Sequence, residues 1–345
     1  MNNAIMIAMS GGVDSAVAAT LCAKQTQNVA GVTMQHFKGC GEQDAADAAA
    51  LCQAIGIPHF TADLTDAFTK EVILPFIAAY EAGLTPNPCV LCNKKIKFGA
   101  LLHFAKANGY DRIATGHYAR VERDASGRTL LRRAVDETKD QTYMLYSLTQ
   151  EVLSCVEFPL GELNKMQVRE LARSCGFSVA SKADSQDICF IPDGDYASYI
   201  ARFTGKDTLP GDFLDKHGNV LGRHKGQLHY TVGQRKGLGI ALGKPAYVVE
   251  KSAQNNTVTL GENEDLFTTR LIAKGINFIP VDVLSAPQRL LAKVRYSQNA
   301  SPARVEQTDE DELTVEFDTP QRAVCVGQSL VLYDGDYLFG GGVIS

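Results

Sequence analysis

The stretch AIMIAM (residues 4–9) runs directly into Ser10-Gly11-Gly12-Val13-Asp14-Ser15. An apolar run, a paired-glycine turn and helical patterning to about Lys24 read as a buried strand, a tight turn and a helix. The same alternation continues. VAGVTM (29–34) reads as a second strand, DAADAAALCQAIGI (44–57) as a helix ending near Gly56, and RIATGHY (112–118) as another strand. Strands alternating with helices predict βαβ units and a parallel sheet covered on both faces, with ligands at the carboxyl ends of its strands.

From about residue 206 the texture changes. Glycine turns become frequent (PGDF, KHGN, GLGIALGKP), and short alternating stretches such as LTVEF and SLVLY appear. An α/β domain followed by β-rich domains is the expectation. A chain of 345 residues, 45% hydrophobic, can fill more than one core. We divide it as 1–205, 206–270 and 271–345, the last barrel-like.

The glycines of Ser10–Ser15 let the backbone turn sharply and approach a ligand. Helix-start N–H groups and the helix dipole make this an anion site, and both serines can add hydroxyl donors. No lysine follows the last glycine, so the Walker A pattern is absent and γ-phosphoryl transfer is not implied. Asp14 is out of place beside an anion unless a cation such as Mg²⁺ lies between it and the phosphates.

Nine cysteines are scattered along the chain, with no visible secretion signal. A disulfide framework is not expected, and a reducing cytoplasm is. Cys22, Cys52 and Cys155 read as small buried residues. TPNPCVLCNKKIKF (85–98) starts as a proline-rich turn and enters a helix whose Phe98, Leu101, Leu102 and Ala105 share one face. Cys92 falls near that helix's start, with Lys94, Lys95 and Lys97 close by, a setting expected to favour the thiolate. Structural zinc is disfavoured, because no second CxxC pair exists. Cys189 follows a polar stretch and precedes the apolar FIP.

Net charge is −5, so the chain as a whole does not look like a nucleic-acid binder. Residues 216–249 are the exception. They hold Lys216, Arg223, Lys225, Arg235, Lys236 and Lys244, with no Asp or Glu. Such a segment would contact phosphates and give affinity without sequence reading. The acidic EQTDEDELTVEFD (306–318) should face away from any nucleic acid. No apolar run approaches the roughly 20 residues needed to cross a membrane.

SGGVDS, TPNPCVLCNKKIKF, ATGHYAR, KDQTYMLY, SQDICFI, GQRKGLGI and VRYSQ occur in this order. Together they resemble the bacterial tRNA-specific 2-thiouridylases, the MnmA family, from Ile5 to the C-terminal GGGVIS. The resemblance implies a pyrophosphate-loop catalytic domain of the adenine nucleotide alpha hydrolase-like kind. It implies a tRNA-uridine 2-sulfurtransferase that uses ATP and Mg²⁺. ATP would bind Ala8, Met9, Ser10, Gly11, Gly12, Val13, Asp14 and Ser15, with Met34 and Gly116 at the nucleoside. The wobble uridine would be adenylated on its C2 oxygen, which sulfur then replaces. Cys92 would be the nucleophile and Cys189 the persulfide carrier, the two closing a disulfide after turnover. Asn87, Pro88 and Cys89 would meet the target base. His117, Lys139, Asp140, Gln141, Arg295, Tyr296 and Gln328 would contact tRNA, with the tRNAs for Lys, Glu and Gln as substrates. A sulfur-relay protein or a cysteine desulfurase would be the donor.

One position departs from a common version of the family pattern: Cys89 stands where that version has aspartate. Cys89, Cys92 and Cys189 therefore form a possible three-thiolate set for a [4Fe–4S] cluster, so sulfur could travel by persulfide or through a cluster. Two further readings stay open. One is another pyrophosphate-loop synthetase acting on a small molecule, which would not need Cys92 or Cys189. The other is a non-enzymatic RNA-binding protein, which would be indifferent to Asp14→Ala.

Overall fold

The computed structural model describes residues 4–37, 42–177 and 188–345. Its first part runs β1 (Ile5–Ala8), α1 (Val13–Gln25), β2 (Val29–Gln35), α2 (Glu42–Ile55) and β3 (His59–Asp63). A helical run follows: α3 (Thr65–Phe68), a π-helical segment (Thr69–Ile73) and α4 (Leu74–Glu81). A second run joins α5 (Pro88–Leu91), a π-helical segment (Cys92–Ala100) and α6 (Leu101–Ala107). Then come β4 (Arg112–Ala114), the hairpin β5 (Arg120–Arg123) and β6 (Thr129–Arg132), α7 (Gln150–Leu153), β7 (Val156–Glu157), α8 (Lys165–Ser174) and α9 (Tyr196–Thr204).

Five of these strands make a parallel sheet in the order β3-β2-β1-β4-β7. β1 is apolar throughout because helices cover both faces. Met6 points into a cluster with Val32, Leu101 and Ile113, while Ile5 and Ile7 point into one with Ala16, Val17 and Cys22. Strand order reverses between β1 and β4, and a crevice at such a point is where open α/β sheets bind ligands. The strand expected over 112–118 ends at Ala114, and irregular backbone carries the chain toward the loop after β1. Cys22 and Cys52 are fully buried, whereas Cys155 is half-buried, contrary to the sequence expectation.

The second sheet orders β10 (Tyr247–Ser252), β11 (Thr257–Gly261), β8 (Gly211–Leu214) and β9 (Val220–His224) around Phe213, Tyr230, Val248 and Val258. The last part contains β12 (Phe267–Phe278), β13 (Gln288–Lys293), β14 (Ser301–Asp309), β15 (Glu312–Arg322), β16 (Ser329–Asp334) and β17 (Tyr337–Ile344). They pair in the order β12-β15-β14-β13-β16-β17, and β12 also pairs with β17. That closes a six-stranded barrel and removes its open edges.

The barrel is tied to the first sheet's domain. The β5–β6 hairpin extends its sheet through Arg132 opposite Tyr337. Asn277 Nδ2 donates to Tyr146 O at 2.7 Å and to Leu148 O at 3.0 Å. Arg128 Nε donates to Ile279 O at 2.6 Å, and buried Tyr143 donates its hydroxyl to Ser329 O at 2.7 Å. Among the described residues, no helix is long and apolar enough to span a membrane.

Candidate active site

The loop after β1 is shaped by Gly11, whose φ of +65° suits glycine. Gly12 caps α1 through its backbone alone. Ser15 Oγ accepts from Ser10 N at 3.2 Å and donates to Gly12 O at 3.0 Å, which cross-braces the turn. The first amides of α1 have no acceptor within the helix and stand ready for an anion. Gly116, just past β4, lies against this loop. A Cβ there would fall 3.0 Å from the Asp14 carbonyl carbon and 3.1 Å from Ser15 N. Ala8 ends β1 and Met34 lies near the end of β2, so the nucleotide candidates converge on one end of the sheet.

Asp14 does have a cation beside it, and that cation is Lys165. Its Nζ donates to both carboxylate oxygens at 2.8 Å, and Tyr118 OH donates to Oδ1 at 2.9 Å. The sequence argument assigned this role to Mg²⁺; a metal bound directly to Asp14 would have to displace Lys165. In this structure both Asp14 oxygens are taken by Lys165. Lys165 escaped the sequence reading because 151 residues separate it from Asp14. The only local signal was Asn164–Gln167, a capping box that marks a helix start.

Asn87 caps α5 by accepting from Cys89 N at 3.2 Å, with Pro88 in the first turn. Cys92 then opens the π-helical segment, a distortion frequent at functional sites. The predicted inward face holds: Phe98, Leu101, Leu102 and Ala105 are buried. The expectation that this setting favours the Cys92 thiolate fails. Cys92 is half-buried and packs against an apolar cluster together with Met34, Phe37, Leu91 and Ile188. Burial pushes its thiol above the ordinary value; Lys97 pulls it back and Cys89 pushes it further up. The helix start and lysines do not outweigh the desolvation of the thiolate. Lys94 and Lys95 point to solvent.

Cys189 is exposed, in the turn before α9, between Ile188 and Phe190 of the same apolar cluster that holds Cys92. The polar stretch before it, 182–187, lies outside the described residues. Among the described residues no three His, Cys, Asp or Glu side chains are grouped to hold a metal ion. Cys89, Cys92 and Cys189 are therefore not grouped as a three-thiolate set in this structure.

The tRNA candidates divide. Tyr296 is 42% exposed, donates to Asp140 O at 3.2 Å and lies beside Tyr143 and Lys293. Gln141 is bound to Tyr118, while Asp140 accepts from Ala134 N and the Thr142 hydroxyl, its carboxyl pushed up by burial. Lys139 ends a short 3₁₀ turn beside them. His117 is only 8% exposed, packed on Phe98 and Phe158, with Nδ1 2.7 Å from Thr115 Oγ1. Burial, then Lys97, holds it well below its ordinary pKa and therefore neutral. Arg295 turns inward to Ala323 O at 2.6 Å, Cys325 Sγ at 2.7 Å and Val232 O at 3.3 Å. Gln328 donates to Thr85 O at 2.8 Å. Of the six cations in 216–249, Lys216 pairs with Asp265, Arg223 with Asp212 and Lys244 with Glu262. Carboxylates outside the segment thus neutralise half of its charge.

This arrangement defines a nucleotide-binding α/β domain of the HUP type with two β domains behind it. Residues 3–193 match the family model described as "tRNA methyl transferase HUP domain", 197–262 its "PRC-barrel domain", and 268–344 the "Aminomethyltransferase beta-barrel domain". The chain is 48% identical to "tRNA-specific 2-thiouridylase MnmA" of Clostridioides difficile strain 630, over 100% of this chain and 98% of that one. It is 47% identical to the protein of the same name from Acetivibrio thermocellus, over 99% and 98%. The chain belongs to the MnmA family of tRNA-specific 2-thiouridylases.

Proposed function

We propose that this protein uses ATP to replace the C2 oxygen of the wobble uridine of tRNA with sulfur. The observation that carries the mechanism is the convergence at one sheet end. Gly116 after β4 lies against the anion loop after β1, and Met34, near the end of β2 beside them in the sheet, packs against the apolar cluster that Cys92 also packs against.

A uridine C2 carbonyl is a poor electrophile with a poor leaving group. Attack of its oxygen on the α-phosphorus of ATP expels pyrophosphate and makes AMP the leaving group. A persulfide on Cys189 then attacks C2 through its terminal sulfur, and AMP departs. Cys92 attacks Cys189 Sγ, the S–S bond breaks toward the base, and 2-thiouridine is released with a Cys92–Cys189 disulfide behind it. A reductant restores the two thiols. Mg²⁺ bound with ATP would supply charge neutralisation on the phosphates.

The domain of residues 1–205 carries this chemistry, and those of 206–270 and 271–345 hold the tRNA. Lys225, Arg235 and Lys236 supply phosphate contacts, and Tyr296 offers an exposed ring near Lys139–Gln141. The anticodon base leaves its stack to reach the Asn87–Cys89 turn. Substrates are the tRNAs for Lys, Glu and Gln, the donor is a sulfur-relay or desulfurase persulfide, and the compartment is the cytoplasm.

The test is mass analysis of tRNA nucleosides after incubation with ATP, Mg²⁺ and a persulfide or sulfide source, with and without oxygen. 2-Thiouridine in the presence of ATP is the expected product. Its absence under both conditions refutes the reading.

A further inference from the structure

The anion loop has no lysine of its own, yet a lysine stands beside it. Lys165 is the first residue of α8, whose start is fixed by the Asn164–Gln167 capping box and by Lys165 N donating to Asp136 Oδ2 at 3.0 Å. Its side chain is 12% exposed and reaches Asp14, in the first turn of the helix whose amides face the anion site. An ion pair so placed adds little to stability, because desolvation offsets its Coulomb energy. In a partly dry site, however, the same ammonium acts strongly on phosphate charge.

We propose that Lys165 contacts the phosphates of ATP in the adenylation step, exchanging one Asp14 oxygen for a phosphate oxygen when the nucleotide binds. This rests on the adenylation reading above. The geometry permits the exchange without stranding Asp14. Lys165 retains Oδ2, and Oδ1 keeps the Tyr118 hydroxyl at 2.9 Å. Asp14 is then a positioning residue that holds the ammonium at the loop. In the step itself, a lone pair of uridine O2 forms the bond to the α-phosphorus. The bond from that phosphorus to the bridging oxygen breaks, and its electrons leave with pyrophosphate. Lys165 gives up no proton; it neutralises the charge that collects on the leaving group.

The experiment uses the full chain without tRNA and measures dissociation constants for ATP, inorganic pyrophosphate and adenosine by calorimetry. It compares wild type, Lys165→Met and Lys165→Arg, with thermal melting as a check on folding. Lys165→Met is expected to weaken ATP and pyrophosphate by roughly 10- to 100-fold and adenosine by less than about twofold. Lys165→Arg should restore most of the loss. If Lys165→Met does not fold, Lys165→Gln keeps a hydrogen bond to Asp14 without the charge and is judged by the same ratios. Unchanged pyrophosphate affinity overturns the assignment. An equal loss for all three ligands also overturns it, since that marks Lys165 as a strut of the loop. A wild type that binds no ATP would instead overturn the adenylation reading itself.

Discussion

Gln141 and Tyr118 are joined by two hydrogen bonds of 3.0 Å: the Tyr118 amide donates to Gln141 Oε1, and the Gln141 amide donates to Tyr118 O. Tyr118 in turn holds Asp14 through its hydroxyl. A segment proposed to touch tRNA is therefore one residue away from the anion loop. Gln141→Ala should reduce any tightening of ATP binding by tRNA by roughly three- to tenfold, the worth of about one lost hydrogen bond. ATP dissociation constants measured with and without tRNA check this. An unaltered ratio in the variant would show that the two sites are not coupled by this route.

Lys97 is the cation that acts on both Cys89 and Cys92, and it opposes burial in each case. Removing its charge leaves burial unopposed, so the Cys92 thiol should titrate still higher. In a Cys89→Ala, Cys189→Ser background, Lys97→Met should slow iodoacetamide labelling of Cys92 at pH 8 by roughly three- to tenfold, one pKa unit being tenfold in thiolate. Labelling should keep rising with pH beyond the ordinary value of 9.0. A plateau below that pH would contradict the burial argument.

Cys92→Ser and Cys189→Ser should each abolish 2-thiouridine formation, while Cys89→Ala should retain it within about tenfold. A cluster held by three cysteines would require all three. Nucleoside mass analysis on the three variants is paired with iron and acid-labile sulfide assays on anaerobically prepared protein. Because Cys89 also lies in the turn proposed to meet the base, loss of product in Cys89→Ala together with a bound cluster in the wild type would sink the persulfide route.

Gly116→Ala places a methyl group 3.0 Å from the Asp14 backbone. Because Asp14 and Ser15 belong to the braced loop, relief must come from the backbone itself, at a cost of about 1–3 kcal/mol. The loss should appear chiefly as weaker ATP binding, by about tenfold or more. Calorimetry beside a melting curve would show whether the cost falls on the loop or on the whole domain.

His117, His36, His59, His224 and His229 are all held below the ordinary histidine value of 6.5, with burial the first cause in each. The unfolded chain takes up protons near that pH, and the folded chain does so only lower. Stability is therefore complete above about 6.5 and declines as pH falls below it. Urea unfolding at pH 7.5 and 5.5 should show the decline, and His117→Gln should flatten it in part. Equal stability at the two pH values would refute the assignment.

Local pattern carried much of this architecture. The β1 run, the paired glycines and the 98–105 helix face were legible because each is written in adjacent residues. Gly116 could be read only through the family resemblance, and Lys165 not at all, because its role depends on where α8 starts relative to α1. The Cys92 environment was misread for the same reason. Nearby lysines are visible in sequence, but the apolar cluster that Cys92 packs against is built from other elements, among them Phe68, Phe76 and Phe190. Arg295, which only the family resemblance offers to tRNA, donates in this structure to Val232, Ala323 and Cys325.

The β5–β6 hairpin bears on the order in which the molecule can be completed. Arg132 pairs with Tyr337, and Tyr337 OH donates to Glu122 Oε1 across 215 residues of chain. On the ribosome, the nucleotide domain emerges long before the strand that receives its hairpin. That edge must wait unpaired until synthesis is nearly finished. Docking of the barrel is then a late step, and chains truncated before β17 would present a ready edge for aggregation.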